Sequence, residues 1–224
     1  MTYSEFLGPV ELVEVMASDV MVVNAARVSF GKRVLELSDA DEALIGFLMR
    51  ERHGTPFEHN AFVFNITCPL FVAREWFRHR IGSFNELSAR YTEIPRDYWR
   101  PDAKDIRKQT GKAGSYSFTE MDEETANWAA EFIVDVQADM FFAYSSLLKA
   151  GVAKEVARAV LPVGMMTQFY WTVNARSLMN FLSLRTAATA QKEIRELAEI
   201  VEMHFCAEMP VTYRAWRANG KVAP

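Results

Sequence analysis

An α+β fold, mostly helical around a small mixed or antiparallel sheet, is what the sequence predicts, and three observations predict it. Apolar residues recur at helical spacing through much of the chain, above all in its second half. Only three runs, 9–17, 58–68 and 167–174, carry the alternating or β-branched and aromatic pattern of strands. No internal repeat and no linker-like composition divides the 224 residues, so they are expected to form one domain, 1–224.

Taken in order, PVELVEVMA (9–17) alternates loosely as a strand. Asp19 is then placed to cap a helix running through Asn24–Arg27 to Phe30. Ser38-Asp39-Ala40-Asp41 resembles a capping box opening a helix from Asp41 to about Glu51, with Leu44, Ile45 and Leu48 on one face. His53-Gly54-Thr55-Pro56 reads as a turn and Glu58–Cys68 as a strand with Phe62, Phe64 and Ile66 on its inner face. Pro69 suits the first turn of a helix reaching about Arg80, followed by a loop, 81–86. Ser88 and Arg90 would share a side in an extended stretch. Residues 92–119 hold prolines, glycines and many charges and read as a long surface loop or lid. Thr119 or Asp122 caps a long helix to about Ala150, which Gly151 ends, and a further helix from about Ala153 carries Arg158 and stops near Pro162. TQFYWTVN (167–174) is a strand, Asn174 caps a helix over 175–186, and a last long helix spans 188–208.

Half of the residues are hydrophobic and 12% aromatic, enough for a sizeable core. A net charge of −4 argues against a general nucleic-acid or membrane surface. Cys68 and Cys206 lie in apolar surroundings and read as reduced core thiols, and no CxxC or HExxH pattern points to a metal. The acidic N-terminal stretch is unlike a signal peptide, and no run reaches the roughly 20 apolar residues of a membrane helix, which together suggest a cytoplasmic protein.

The chemistry concentrates in RHRIGSFNELSARY, Arg78 to Tyr91, with Arg74 one helical turn upstream. Its cations are all arginine, whose planar fork holds phosphate or a heterocycle edge through two hydrogen bonds. Between Val156 and Lys192 there is no Asp or Glu, while Arg158, Arg176 and Arg185 fall inside. Arginine islands in an acidic chain suit clefts for small anions. Neither cysteine has the setting of a nucleophile, and Ser88 lacks an evident base other than His79, so covalent catalysis by the protein is not supported and a cofactor is expected to carry the reaction. No GxGxxG or GxxxxGK[ST] is present, so Arg, His and backbone groups would hold its phosphates.

The stretch Arg78–Tyr91 matches RHRxxSxNExSxRY and resembles the signature of the flavin-dependent thymidylate synthases (the ThyX type). RHGTPFEH, FVAREWFRHR, VARAVLP and FYWTVNARSLMNFLSLR also resemble segments of that family, in the family's order. The resemblance implies a homotetramer with active sites shared between subunits. It implies reductive methylation of dUMP to dTMP, with methylenetetrahydrofolate as carbon donor, FAD reduced by NADPH, and tetrahydrofolate released. Carried over, it places Thr55, Arg78, His79, Arg80, Glu86, Asn174, Ala175, Arg176 and Asn180 at FAD. It places Glu75, Trp76, Phe77, Arg78, Glu86, Leu87, Ser88, Ala89, Arg90, Arg158 and Arg185 at dUMP, partly through backbone. Ser88, Arg90 and Arg158 would hold the phosphate. Arg185 is the implied catalytic residue, against the uracil ring and stabilising charge at N3 and O2. His53 would border the folate and nicotinamide side. Glu75 departs from the Gln expected there; beside a phosphate it would be repulsive, so it should pair with Arg74, Arg78 or His79 or face away. Two other readings remain from the residues alone: a non-catalytic nucleotide- or RNA-binding module, and a flavoenzyme acting on another nucleotide.

Overall fold

The computed structural model describes residues 7–112 and 115–224. The first six residues of the acidic N-terminal stretch, and residues 113 and 114 of the expected lid, lie outside the described residues. The elements are, in chain order, β1 (Val10–Met16), α1 (Asp19–Arg27), α2 (Asp39–Arg50), α3 (Thr55–Glu58), β2 (Ala61–Pro69), α4 (Leu70–Trp76), β3 (Ser83–Glu86), β4 (Arg107–Lys112), β5 (Ser115–Glu120), α5 (Glu123–Lys149), α6 (Lys154–Ala157), β6 (Met166–Asn174), α7 (Ala175–Arg185), α8 (Lys192–Glu208) and α9 (Pro210–Ala218). The mixture of helix and sheet is the α+β class read from the sequence. The chain gathers into two compact units and passes between them more than once. One is built mainly from 87–167, and the other from 9–67, 72–86 and 168–224.

The larger unit holds a four-stranded sheet of order β1-β2-β6-β3, in which β1–β2 and β3–β6 are antiparallel. Phe62, Phe64 and Ile66 of β2 and Phe169, Trp171 and Val173 of β6 are buried, with more exposed residues between them, the period of two that the sequence carries. Against this face pack Trp76 of α4 and Phe181 of α7. Trp76 lies 4.5 Å from the Phe181 ring and 5.5 Å from Trp171, and Phe181 lies 4.9 Å from Trp171, all three fully buried. Offset and edge-on aromatic pairs of this kind add about 0.5–1.5 kcal/mol each beyond the area they bury.

The capping box at Ser38 and Asp41 is present: the Asp41 carboxylate accepts from the Ser38 N–H at 2.9 Å and from its hydroxyl at 2.6 Å. Asp19 does something else than expected. Ser18 is the cap of α1, its hydroxyl accepting from the Met21 N–H at 3.1 Å. Asp19, the first residue of α1, is buried and reaches the start of α9, accepting from Val211 N–H (2.9 Å), Thr212 N–H (2.8 Å) and the Thr212 hydroxyl (2.6 Å). Its short carboxylate satisfies orphan donors of a helix distant in sequence, and the sequence holds no local trace of that pairing. Other boundaries also shift. Residues 55–58 form one helical turn rather than an open turn, Pro69 closes β2 instead of opening a helix, and α4 ends at Trp76, so that Arg78 lies in the turn that follows. The expected loop 81–86 contains β3, whose backbone is satisfied by pairing with β6.

In the smaller unit, Asp122 caps the 27-residue α5, accepting from the Thr125 N–H at 2.9 Å, and Gly151 follows its end at φ +84°, a backbone state glycine adopts without strain. Tyr98, Phe141, Tyr144, Ile94 and Ala157 form its core. The expected loop 92–119 is not structureless. It carries the antiparallel strand pair β4–β5, with Arg107 opposite Glu120; β4 has no apolar residue, and the alternation of β5 is limited to two exposed rings, Tyr116 and Phe118.

Asp19→Ala is expected to lower the unfolding free energy by about 2–4 kcal/mol, because it leaves three buried donors without a charged acceptor. Urea unfolding checks this, and a loss under about 0.5 kcal/mol would remove Asp19 as the anchor of α9.

Candidate active site

Arg185 ends α7, one turn beyond Phe181 and Leu182, whose burial brings that end of the helix to the rim of the aromatic core. There its guanidinium is held on three sides. Nε donates to His79 Nε2 at 3.0 Å, one terminal nitrogen donates to Glu75 Oε2 at 2.9 Å, and the other donates to the Glu75 main-chain oxygen at 3.2 Å. Glu75 and His79 stand one helical turn apart across the end of α4, on either side of the buried Trp76. His79 also lies edge-on to Phe181, 4.9 Å between rings. Because arginine Nε can only donate, His79 Nε2 must be the acceptor and the imidazole neutral with its proton on Nδ1.

The electrostatics agree with a neutral ring. Burial, reinforced by the Arg185 charge, pulls the His79 pKa down to about 4. Burial pushes the Glu75 carboxyl above its ordinary range; Arg185 pulls it the other way and Glu193 adds to the rise. Of the two arrangements expected for Glu75, pairing with Arg74, Arg78 or His79 or facing away from the phosphate, the first is replaced by pairing with Arg185, which α7 carries to it from 110 positions along the chain.

The other predicted residues of this unit divide by exposure. Arg78 and Arg80 project from the turn between α4 and β3 and are exposed, as are Thr55, Asn180 and Glu86. Arg176, at the start of α7, donates from Nε to the Pro224 main-chain oxygen at 2.7 Å and from a terminal nitrogen to Glu58 at 2.6 Å. Gly54 lies against that guanidinium so closely that a Cβ there would come within 2.5 Å of Nε. Asn174 caps α7, its side-chain oxygen accepting from the Ser177 N–H at 2.8 Å. His53 is exposed and stacks on Phe47, 5.8 Å between centroids. Trp76 and Ala175 are fully buried, so neither side chain can meet a ligand and only their main chain is left for that purpose. Phe77 packs on Phe84 and Phe169 at 5.1 and 4.9 Å.

The smaller unit carries Leu87, Ser88, Ala89, Arg90 and Arg158. Ser88 begins a turn, not an extended stretch. Its carbonyl accepts from Tyr91 and Thr92 N–H, both at 3.1 Å, and its hydroxyl oxygen accepts from Arg90 N–H at 3.3 Å, which leaves the hydroxyl proton to be donated. Ala89 is buried in the core and Leu87 is partly exposed. Arg90 and Arg158 converge on Glu155, which the sequence reading did not single out: Arg90 Nε stands 3.4 Å from its carboxylate and Arg158 Nε donates to its main-chain oxygen at 3.3 Å. The available signal was its place three residues before Arg158 on one helical turn.

Exposed arginines at 78 and 80 and the Asn180 amide are groups able to meet an anionic, hydrogen-bonding ligand, while the Arg176 fork beside Gly54 is engaged by Glu58 and Pro224. Comparison with known proteins gives the family. A family model described as thymidylate synthase complementing protein matches residues 11–211. A flavin-dependent thymidylate synthase of Thermosipho melanesiensis is 45% identical over 211 residues, 93% of this chain and 90% of that protein. The chain belongs to the flavin-dependent thymidylate synthase family. A member from Streptomyces coelicolor is 44% identical over 228 residues, covering 96% of this chain and 93% of its own. Among solved structures, the UMP/dUMP methylase PolB from Streptomyces cacaoi bound with 5-Br dUMP superposes with a TM-score of 0.89 at 41% identity, over 96% of this chain and 97% of that one. In this family setting the Arg185 cluster becomes the candidate centre of the chemistry.

The depressed His79 pKa has a signed consequence. The unfolded chain takes up this proton near pH 6.5 and the folded one only near 4, so the stability tied to neutral His79 is complete above 6.5 and is lost as pH falls toward 4. NMR of the histidine ring protons should find His79 still neutral at pH 5.5. A midpoint above 6 would show that it does not serve as the acceptor of Arg185.

Proposed function

We infer that this chain is an enzyme that methylates dUMP at C5 to give dTMP, with FAD as resident cofactor, methylenetetrahydrofolate as carbon donor, NADPH as reductant and tetrahydrofolate as second product. The observation that carries the reading is the Arg185 guanidinium, fixed by two residues at the edge of the Arg78–Tyr91 signature. When bound, FAD supplies the hydride chemistry that no side chain of this protein can. Arg78, His79, Arg80 and Glu86, with Thr55, Asn174, Ala175, Arg176 and Asn180, would hold it. Ser88, Arg90 and Arg158 would hold the dUMP phosphate, the Ser88 hydroxyl as donor and the two arginines as counter-charge. The Glu155 carboxylate, now on Arg90, would yield that arginine to the more highly charged phosphate. Main-chain groups of 75–78 and 86–90 would line the nucleotide. Arg185 would face the uracil ring and stabilise charge developing at N3 and O2, where its half-buried setting strengthens the interaction. His53 would border the folate and nicotinamide side.

Homotetramer formation, with sites completed between subunits, is part of the same reading. Trp128, Phe132 and Phe142 of α5 stand 60%, 53% and 74% exposed in the single chain, apolar surface of the kind that subunits cover. We read the 224 residues as one catalytic domain, with 92–119 as a long surface loop or lid. Among the described residues no helix is long and apolar enough to cross a membrane, in keeping with a cytoplasmic enzyme. A second reading, methylation of UMP, is favoured by one observation: the PolB neighbour is described as a UMP/dUMP methylase and was also solved with 5-Br UMP.

Purified protein is expected to show flavin absorption near one per chain that NADPH bleaches anaerobically, and to form dTMP from dUMP; methylation of UMP at equal efficiency would favour the second reading, and a colourless protein that takes up no FAD would refute both. Arg185→Ala should keep fold and flavin while turnover falls about 100-fold or more, the scale of losing one charge-stabilising donor. Near wild-type turnover in the folded variant would end that role.

A further inference from the structure

Glu75 gives both its carboxylate and its main-chain oxygen to Arg185, and those contacts assign its side chain a role. Its carboxylate accepts from one terminal nitrogen of Arg185 at 2.9 Å and its main-chain oxygen accepts from the other at 3.2 Å, while His79 takes the Nε–H at 3.0 Å. Three donors on all three nitrogens of the fork are thus committed to two residues, and the plane of the guanidinium is determined. An arginine side chain has several rotatable bonds, and an untethered one samples many rotamers. Arg185 is 20% exposed and Glu75 29%, so the pair is sheltered enough for the contact to hold its geometry.

We propose that Glu75 is a positioning residue of this enzyme: through its carboxylate it fixes the orientation in which Arg185 meets the reacting nucleotide, and that carboxylate does not itself contact the nucleotide. The proposal rests on the reading of Arg185 as the residue against the uracil ring. A preorganised donor stabilises developing charge without reorganising at the moment of reaction, so loosening it should depress kcat more than it raises the KM for dUMP.

The test is a double-mutant cycle of Glu75→Ala and Arg185→Ala in the flavin-loaded enzyme, with Glu75→Gln as the conservative variant and dUMP affinity read separately by calorimetry. Glu75→Ala is expected to lower kcat at least 10-fold with dUMP affinity changed no more than in Arg185→Ala. Glu75→Gln, which keeps an acceptor oxygen for Arg185, should recover kcat to within about 3-fold of wild type. The double variant should be no worse than Arg185→Ala within about 2-fold, in both kcat and dUMP affinity, because residues that act as one unit are not additive. If Glu75→Ala lowers turnover or affinity by the same factor in the Arg185→Ala background, Glu75 acts on its own and the proposal is overturned. If Glu75→Ala leaves kcat unchanged while Arg185→Ala abolishes it, the proposal falls and the role of Arg185 stands. If Arg185→Ala itself retains turnover, the underlying reading of the site fails, a different outcome from either.

Discussion

The packing of Trp76 against Phe181 and Trp171 is the contact on which the rest of the larger unit depends. It joins the end of α4 to the middle of α7 over the inner face of the sheet. Every polar group of the Arg185 cluster is attached to one of those two helices within a turn or so of a buried ring. Glu75 precedes Trp76, His79 follows it and rests against Phe181, and Arg185 stands one turn past Phe181. Close-packed rings leave little room to slide, so the distances of about 3 Å at the rim are set by apolar contacts behind them. The polar geometry is a consequence of core packing rather than a separate construction.

The second constraint is charge in a sheltered place. An arginine at the edge of a core is tolerated only when its donors are met, and here a carboxylate, a carbonyl oxygen and an imidazole nitrogen meet them. That demand reaches back to the partners. His79 must remain neutral to accept, which burial and the neighbouring positive charge both favour. Glu75 gains a counter-charge that a carboxyl drawn from water would otherwise lack. In the smaller unit the same logic applies in a wetter setting, where the Glu155 carboxylate meets Arg90 and its main-chain oxygen meets Arg158 on an open surface, and screening makes the Arg90 ion pair weak and easily exchanged.

Much of this was legible in the chain. The alternating aromatic residues of 61–69 and 166–174, the capping box at Ser38 and Asp41, the Asn174 cap and the glycine that follows α5 are signals whose physics is local, and each is where the sequence puts it. The strand pair 107–112 and 115–120 was not legible, because the first strand has no apolar residue and the second has only the short alternation of Tyr116 and Phe118 among charges and glycines. Nor was the end of α4 at Trp76, since the residues after it have no helix-stopping signal until Gly82 and are drawn off by pairing of β3 with β6. Among site residues, the resemblance placed Trp76 at dUMP, partly through backbone, and Ala175 at FAD, and only burial shows that their side chains belong to the core.

By itself the sequence determined the class of fold, the family and the inventory of chemical groups: an arginine-rich signature, a hydroxyl at 88, carboxylates at 75 and 86, and no nucleophile with a base beside it. These follow from local periodicity and residue type, which need no knowledge of where distant segments meet. The tertiary structure alone decided the pairings. Asp19 turned from a presumed cap of its own helix into the anchor of α9, 192 positions away, and Glu75 found Arg185 across 110 positions instead of its neighbours in the signature. Both are contacts between short polar groups at the ends of helices, and which helix ends meet is settled by how the apolar faces pack.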